Sequence, residues 1–151
     1  MNEQEQASDH RIVVGVDNSA GSVEALRWAL AHARLTGYTV EAITAWQVPP
    51  TYVHAAGWRP TGIDDAGIIG YAEKTLAEAV AQVQGEDDHP VPVTTHVLQG
   101  PAAQVLIEAG KGAELMVLGS RGHGAFSGML LGSVSRHCVQ HAICPTVVIP
   151  K

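Results

Sequence analysis

The sequence predicts an α/β domain built on an open, five-stranded parallel sheet with helices on both faces. Five short apolar runs rich in β-branched residues, with an amphipathic segment between each pair, give the alternation of such a fold. The length, 151 residues, is that of one domain and is enough to bury a core without staples.

The first ten residues lack apolar periodicity and are expected to form a flexible tail before a domain spanning 11–151. Arg11 to Val16 (RIVVGV) is the first strand, apolar enough for the buried position a parallel sheet requires. Asp17-Asn18-Ser19 follows, residues that form turns and cap helices. From Ala20 to Thr36, Val23, Leu26, Leu30 and Ala33 recur at helical spacing, and Gly37 suits the residue after a helix end. Thr39 to Trp46 is the second strand. Gln47 to Ala66, with three prolines and no period, reads as a long loop. Ile69, Ala72, Leu76, Ala79 and Val83 mark a helix from about Gly67 to Gln84, closed by the turn Gly85-Glu86-Asp87-Asp88. Pro92 to Leu98 is the third strand. Pro101 fits the first turn of a short helix carrying Val105, Leu106 and Ala109. Leu115 to Leu118 is the fourth strand, followed by a glycine-rich loop, a helix from Ser133 to Ala142, and a fifth strand, Thr146 to Ile149.

Composition narrows the function. Nine basic against fifteen acidic residues give a net charge of −6, the wrong sign for an electrostatically driven nucleic-acid binder. Two cysteines, Cys138 and Cys144, are too few for a disulfide scaffold and fit a reducing compartment. The polar, acidic start differs from a signal peptide, and no apolar run approaches the roughly twenty residues of a membrane span. The expectation is a cytoplasmic protein that touches neither nucleic acid nor membrane.

In an open parallel sheet, ligands bind beyond the carboxyl ends of the strands, where the winding direction reverses. The segments to inspect therefore follow Val16, Trp46 and Leu118. After Leu118, five of the chain's sixteen glycines (Gly119, Gly122, Gly124, Gly128, Gly132) fall within fourteen residues. Glycine lets backbone amides converge on an anion. Gly132-Ser133-Val134-Ser135 then opens a helix whose free amides and positive dipole end favour phosphate, and Arg121 adds a planar cation. A loop that needs glycine only to turn, with Ser133 as an ordinary N-cap, fits the same residues. Asp17, at the end of the first strand, could accept from a ribose or base, face a bound metal through water, or simply cap the next helix. Trp46 could stack on a base or merely cover a loop.

Other chemistries lack their motifs. There is no G-x-x-x-x-G-K-[ST], the first turn (Gly15 to Gly21) is not G-x-G-x-x-G, and no G-x-S-x-G elbow appears. His137 and His141, four apart with Cys144 beyond, have a metal-ligand spacing. No acidic residue sits between them, and a polar helix face with a packed cysteine is the preferred account.

Gly119-x2-Gly122-x9-Gly132-Ser133 resembles the G-x2-G-x9-G-[ST] pattern of the nucleotide-binding universal stress proteins. The blocks RIVVGVDNSAGSVEALRWAL, GPAAQVLIEAGKGAELMVLGSRGHG and LLGSVSRHCVQHAICPTVVIP follow that family in order and cover nearly the whole chain. The resemblance implies a Rossmann-like sheet of order 3-2-1-4-5 and a bound ATP or related adenine nucleotide, with Mg held through its phosphates. Carried over by position, Gly15, Val16 and Asp17 would contact adenosine, and Ala45 or Trp46 the base. Gly119 would lie against the ribose, and Arg121, Gly122, Gly132, Ser133, Val134 and Ser135 would hold the phosphates. It also implies a homodimer through the last strand, which agrees with an apolar edge in need of cover at Pro145 to Lys151.

The function this implies is nucleotide sensing in a stress response. Turnover is not expected, because no positioned base for water is evident; His123 is the nearest candidate. The alternatives are a slow ATPase, autophosphorylation on Ser133 or Ser135, and a nucleotide-free dimeric interaction module.

Overall fold

A computed structural model describes residues 10–48, 65–123, 128 and 130–150. The elements are β1 (Arg11–Gly15), α1 (Ala20–Thr36), β2 (Thr39–Trp46), α2 (Asp65–Gln84), β3 (Val93–Gln99), α3 (Ala102–Ala109), β4 (Leu115–Gly119), α4 (Ser133–His141) and β5 (Thr146–Ile149). All strand pairs are parallel, in the order β3-β2-β1-β4-β5. The expected fold class and strand order are therefore observed. The expected tail lies almost wholly outside the described residues, as do residues 49–64 of the expected loop and 124–127 and 129 of the glycine-rich one.

The strands' two-residue period divides the core. Ile12, Val14 and Val16, with Val40, Ala42 and Val117, pack against Leu26, Leu30, Leu76 and their neighbours on α1 and α2. Val13, Ile43, Met116 and Leu118 point the other way, onto Leu106 of α3 and Cys138 of α4. The central strands β1 and β4 are thus apolar through their middles because each face meets a pair of helices, whereas β2 also carries Glu41, paired with Arg11. The edge strand β3 is mostly exposed, with only Val93 and Val97 half-buried.

Local chemistry sets the helix ends. Ser19 caps α1, its hydroxyl accepting from the Ser22 amide at 3.2 Å, and Gly37 closes the helix at φ 78° with its amide on the Ala33 carbonyl. Helix α2 starts two residues before the expected Gly67, so Asp65 and Ala66 belong to helix and not loop; Asp65 in the first turn suits the positive dipole end. Gly132, in extended conformation, is the N-cap of α4, and Ser133 is the first helical residue, which removes the reading of Ser133 as a cap. No helix among the described residues is long and apolar enough to cross a membrane.

Helix α1 separates burial from propensity. Leu30 is fully buried and Leu35 is 86% exposed on the same helix. Leu30→Ala is expected to lower unfolding free energy by about 2–5 kcal/mol, and Leu35→Ala by about 0.5 kcal/mol or less. Urea denaturation of the two variants beside the parent measures both.

Candidate functional site

The winding reverses between β1 and β4, and a cavity of about 250 Å³ opens there, at the strands' carboxyl ends. Two glycines bring its walls together. A Cβ on Gly119 would stand 2.7 Å from the carbonyl carbon of Gly21, and one on Gly21 would stand 2.8 Å from the carbonyl oxygen of Arg121. The first turn of α1 therefore lies directly against the end of β4. Gly21 was not singled out from sequence, because a glycine inside a helical stretch has no signature of its own.

Eleven of the twelve residues named from sequence line this one cavity: Gly15, Val16, Asp17, Ala45, Gly119, Arg121, Gly122, Gly132, Ser133, Val134 and Ser135. Trp46 does not. Adjacent strand residues point to opposite faces, and Ala45 shares the cavity side with Ile43. The sequence reading also missed Ile43, Ala102, Leu106 and Leu118, which give the cavity an apolar part, and Ser19 and Ser22, which brace its acid. The apolar residues were visible as core; nothing in their spacing marked them as facing a hollow.

Asp17 stands in a tight turn in which Asn18 adopts φ 63°, a left-handed conformation that asparagine tolerates. Its Oδ1 accepts from the Ser19 amide at 3.0 Å and from the Ser19 hydroxyl. Its own amide donates to the Ser22 hydroxyl at 3.2 Å. Burial pushes the Asp17 carboxyl up, but the Ser19 hydroxyl and amide, the Ser22 hydroxyl and the nearby His123 ring outweigh it and hold the group below its usual range. Its Oδ2 faces Gly122, where a Cβ would come within 2.6 Å of that oxygen. Glycine at 122 thus makes room for the carboxylate.

The opposite wall is built from backbone. The Gly132 amide donates to the Ser120 carbonyl at 2.6 Å, and the first helical hydrogen bond runs from the Arg136 amide to the Gly132 carbonyl at 3.0 Å. Helix geometry leaves the amides of Ser133, Val134 and Ser135 without intrahelical acceptors. The Ser135 hydroxyl is buried and donates to the Ser120 carbonyl at 2.8 Å, with the Gly132 carbonyl at 3.1 Å. Its single proton is committed to holding the loop, which leaves the Ser135 amide to face a ligand. A Cβ on Gly132 would lie 3.5 Å or more from its neighbours, so the protein's own packing does not demand glycine there.

His123 closes one side. Its Nε2 lies 2.7 Å from the Asp17 carbonyl oxygen, which can only accept, so Nε2 carries the proton. That nitrogen spans from the β4–α4 loop to the β1–α1 turn.

A doubly wound domain with an acid and a row of free helix amides across one hollow is the class of protein this geometry defines. Its family follows from comparison: the sequence profile described as the universal stress protein family matches residues 10–150, and the chain belongs to that family. It is 34% identical over 152 residues to a universal stress protein of Mycolicibacterium smegmatis, covering 96% of this chain and 49% of that protein. The chain spans about half the length of the curated relatives it matches. Among solved structures, the universal stress protein UspA from Lactobacillus plantarum superposes with a TM-score of 0.72 at 21% identity, covering 92% of this chain and 96% of that one. A universal stress protein from Archaeoglobus fulgidus in complex with dAMP superposes with a TM-score of 0.62 at 26% identity, covering 92% and 96%.

The lowered Asp17 carboxyl has a pH consequence. A group whose folded-state pKa lies below its unfolded value stabilises the fold above the unfolded value, near about 4, and loses that contribution as pH falls through the folded-state pKa. Asp17→Asn is therefore expected to be less stable than the parent at neutral pH, with the gap narrowing below about pH 4. Thermal unfolding of both proteins between neutral and acid pH tests it; a constant gap would show that the carboxylate charge contributes nothing.

Proposed function

We propose that the cavity binds an adenine nucleotide, with ATP as its ligand, and that the protein acts in the cytoplasm as a sensor or regulator in the stress response. The observation that carries this reading is the set of free amides on Ser133, Val134 and Ser135, which open onto the same hollow as Arg121 and Asp17. Phosphate oxygens suit that helix end, the sugar hydroxyls suit the ionised Asp17, and the base suits the apolar part formed by Ile43, Ala45, Leu106 and Leu118. The dAMP held by the Archaeoglobus fulgidus relative supports the adenine class. Mg would be carried by the phosphates, offsetting their charge.

Binding without rapid turnover is the favoured mode. The Ser135 hydroxyl donates within the loop, so it is not poised as a phosphate acceptor, and the Nε2 of His123 is taken up by a main-chain carbonyl, which leaves only Nδ1 of that ring as a base.

The β5 edge supports a homodimer. The carbonyls of Pro145 and Ile149 accept from Met116 and Ser120 of the inner side, so Thr146 and Val148 turn their amides and carbonyls away from the sheet. An apolar edge with unpaired polar backbone favours pairing with a second copy.

Proline at position 133 tests the nucleotide reading. Gly132 is extended and Ser133 is the first helical residue, so Ser133→Pro keeps the helix and removes one amide. Calorimetric titration is expected to show ATP binding weakened about 10–100-fold in Ser133→Pro, the size of a charged hydrogen bond, and less in Ser133→Ala. Equal ATP affinity in parent and proline variant would overturn the reading, and fast phosphate release lost in His123→Ala would overturn binding without turnover. For the dimer, Val148→Pro removes an outward amide while sparing the inner ladder. Sedimentation is expected to give a dimer for the parent and a monomer for that variant.

A further inference from the structure

Helix α4 carries a second feature that the cavity does not use. His137 and His141 are one turn apart on its solvent face, both exposed, with ring centres 4.6 Å apart and planes tilted by 43°. Sequence spacing alone favours an ordinary polar face. Ring geometry admits a second reading. With metal–nitrogen bonds of about 2.1 Å and ring centres about 1.1 Å further on, two imidazoles at roughly 90–110° around one ion have centres about 4.5–5.2 Å apart. The observed separation falls inside that interval. His141 sits in the last turn of α4, whose unpaired carbonyls and negative dipole end favour a cation, and His137 lies one turn before it, near the middle of the helix. Cys144, the third residue of the sequence motif, is half-buried and packs instead beside Gly110 against the core, so a site here has two protein ligands and positions left to water.

We propose that His137 and His141 form a surface chelate for one divalent first-row transition ion per chain, tightest for Cu(II), with Ni(II) and Zn(II) weaker. Imidazole nitrogen suits these ions and not Mg(II) or Ca(II), which take oxygen ligands. The site is remote in chemistry from the nucleotide cavity and stands or falls independently of it.

Tag-free full-length protein, titrated with Cu(II) and with Zn(II) in the absence of nucleotide, provides the test. The expected result is one ion per chain, with affinity reduced at least about tenfold in His137→Ala and in His141→Ala, no less than the loss of an outer-shell partner alone costs a metal site. Saturating Zn(II) is expected to raise the melting temperature of the parent and not of the double variant, because an ion bridging one helical turn stabilises that turn. Cys144→Ser is expected to bind like the parent, and Mg(II) to leave the melting temperature of nucleotide-free protein unchanged. Undiminished binding in the double alanine variant would overturn the proposal, as would binding lost in Cys144→Ser.

Discussion

The site depends on one close approach of backbone to backbone. Gly21, in the first turn of α1, and Gly119, at the end of β4, leave no room for a Cβ on either, and this contact sets the distance between the two halves of the sheet's carboxyl edge. The order β3-β2-β1-β4-β5 makes β1 and β4 neighbours although a hundred residues separate them. With the contact in place, the β1–α1 turn and the β4–α4 loop face one another, and the hollow between them inherits an acid from one side and amides from the other. A side chain at either glycine would act on backbone, which cannot swing aside as a side-chain tip does.

The resulting hollow is polarised, which reconciles its chemistry with a chain of net charge −6. Net charge acts over a Debye length in solution, whereas the α4 amides act at hydrogen-bond distance inside a partly enclosed space. Asp17 stays ionised because Ser19, Ser22 and His123 surround it, so a second anion is disfavoured at that end and favoured at the helix end. Any ligand with a hydroxyl-bearing end and an anionic end is therefore oriented by the protein before its finer contacts form.

Most of the fold was legible in sequence because two periods, two and three-to-four, were clean. Ile12 and Val14 fall in one core cluster and Val13 between them in the other, and Leu26, Leu30 and Ala33 fall on one stripe. Caps at Ser19 and Gly37 were legible because they are local chemistry. Contacts between segments distant in sequence were not. The Ser135 hydroxyl reads as a phosphate donor until Ser120, fifteen residues earlier, is seen to take its proton. Gly122 reads as room for a ligand, yet its absent side chain makes space for Asp17, more than a hundred positions away. Of the pair Ala45 and Trp46, the strand's period turns Ala45 to the cavity, although an aromatic at a strand end suggests stacking.

Under the two proposals, helix α4 serves two opposite ligands. It is nine residues long, with a first turn that presents amides to the cavity and a histidine pair that runs from its middle to its last residue. The dipole has one sign at each end, so an anion and a cation stabilise the same helix without competing. Ser133, His137 and His141 also follow each other at intervals of four along one face, the first lining the cavity and the others exposed. The opposite face is held by Cys138 in the core and by the Ser135 hydroxyl on the loop, which fixes the helix's rotation. That rotation is what aims the amides into the hollow and turns both imidazoles outward, so a single packing decision at Ser135 and Cys138 determines both ends.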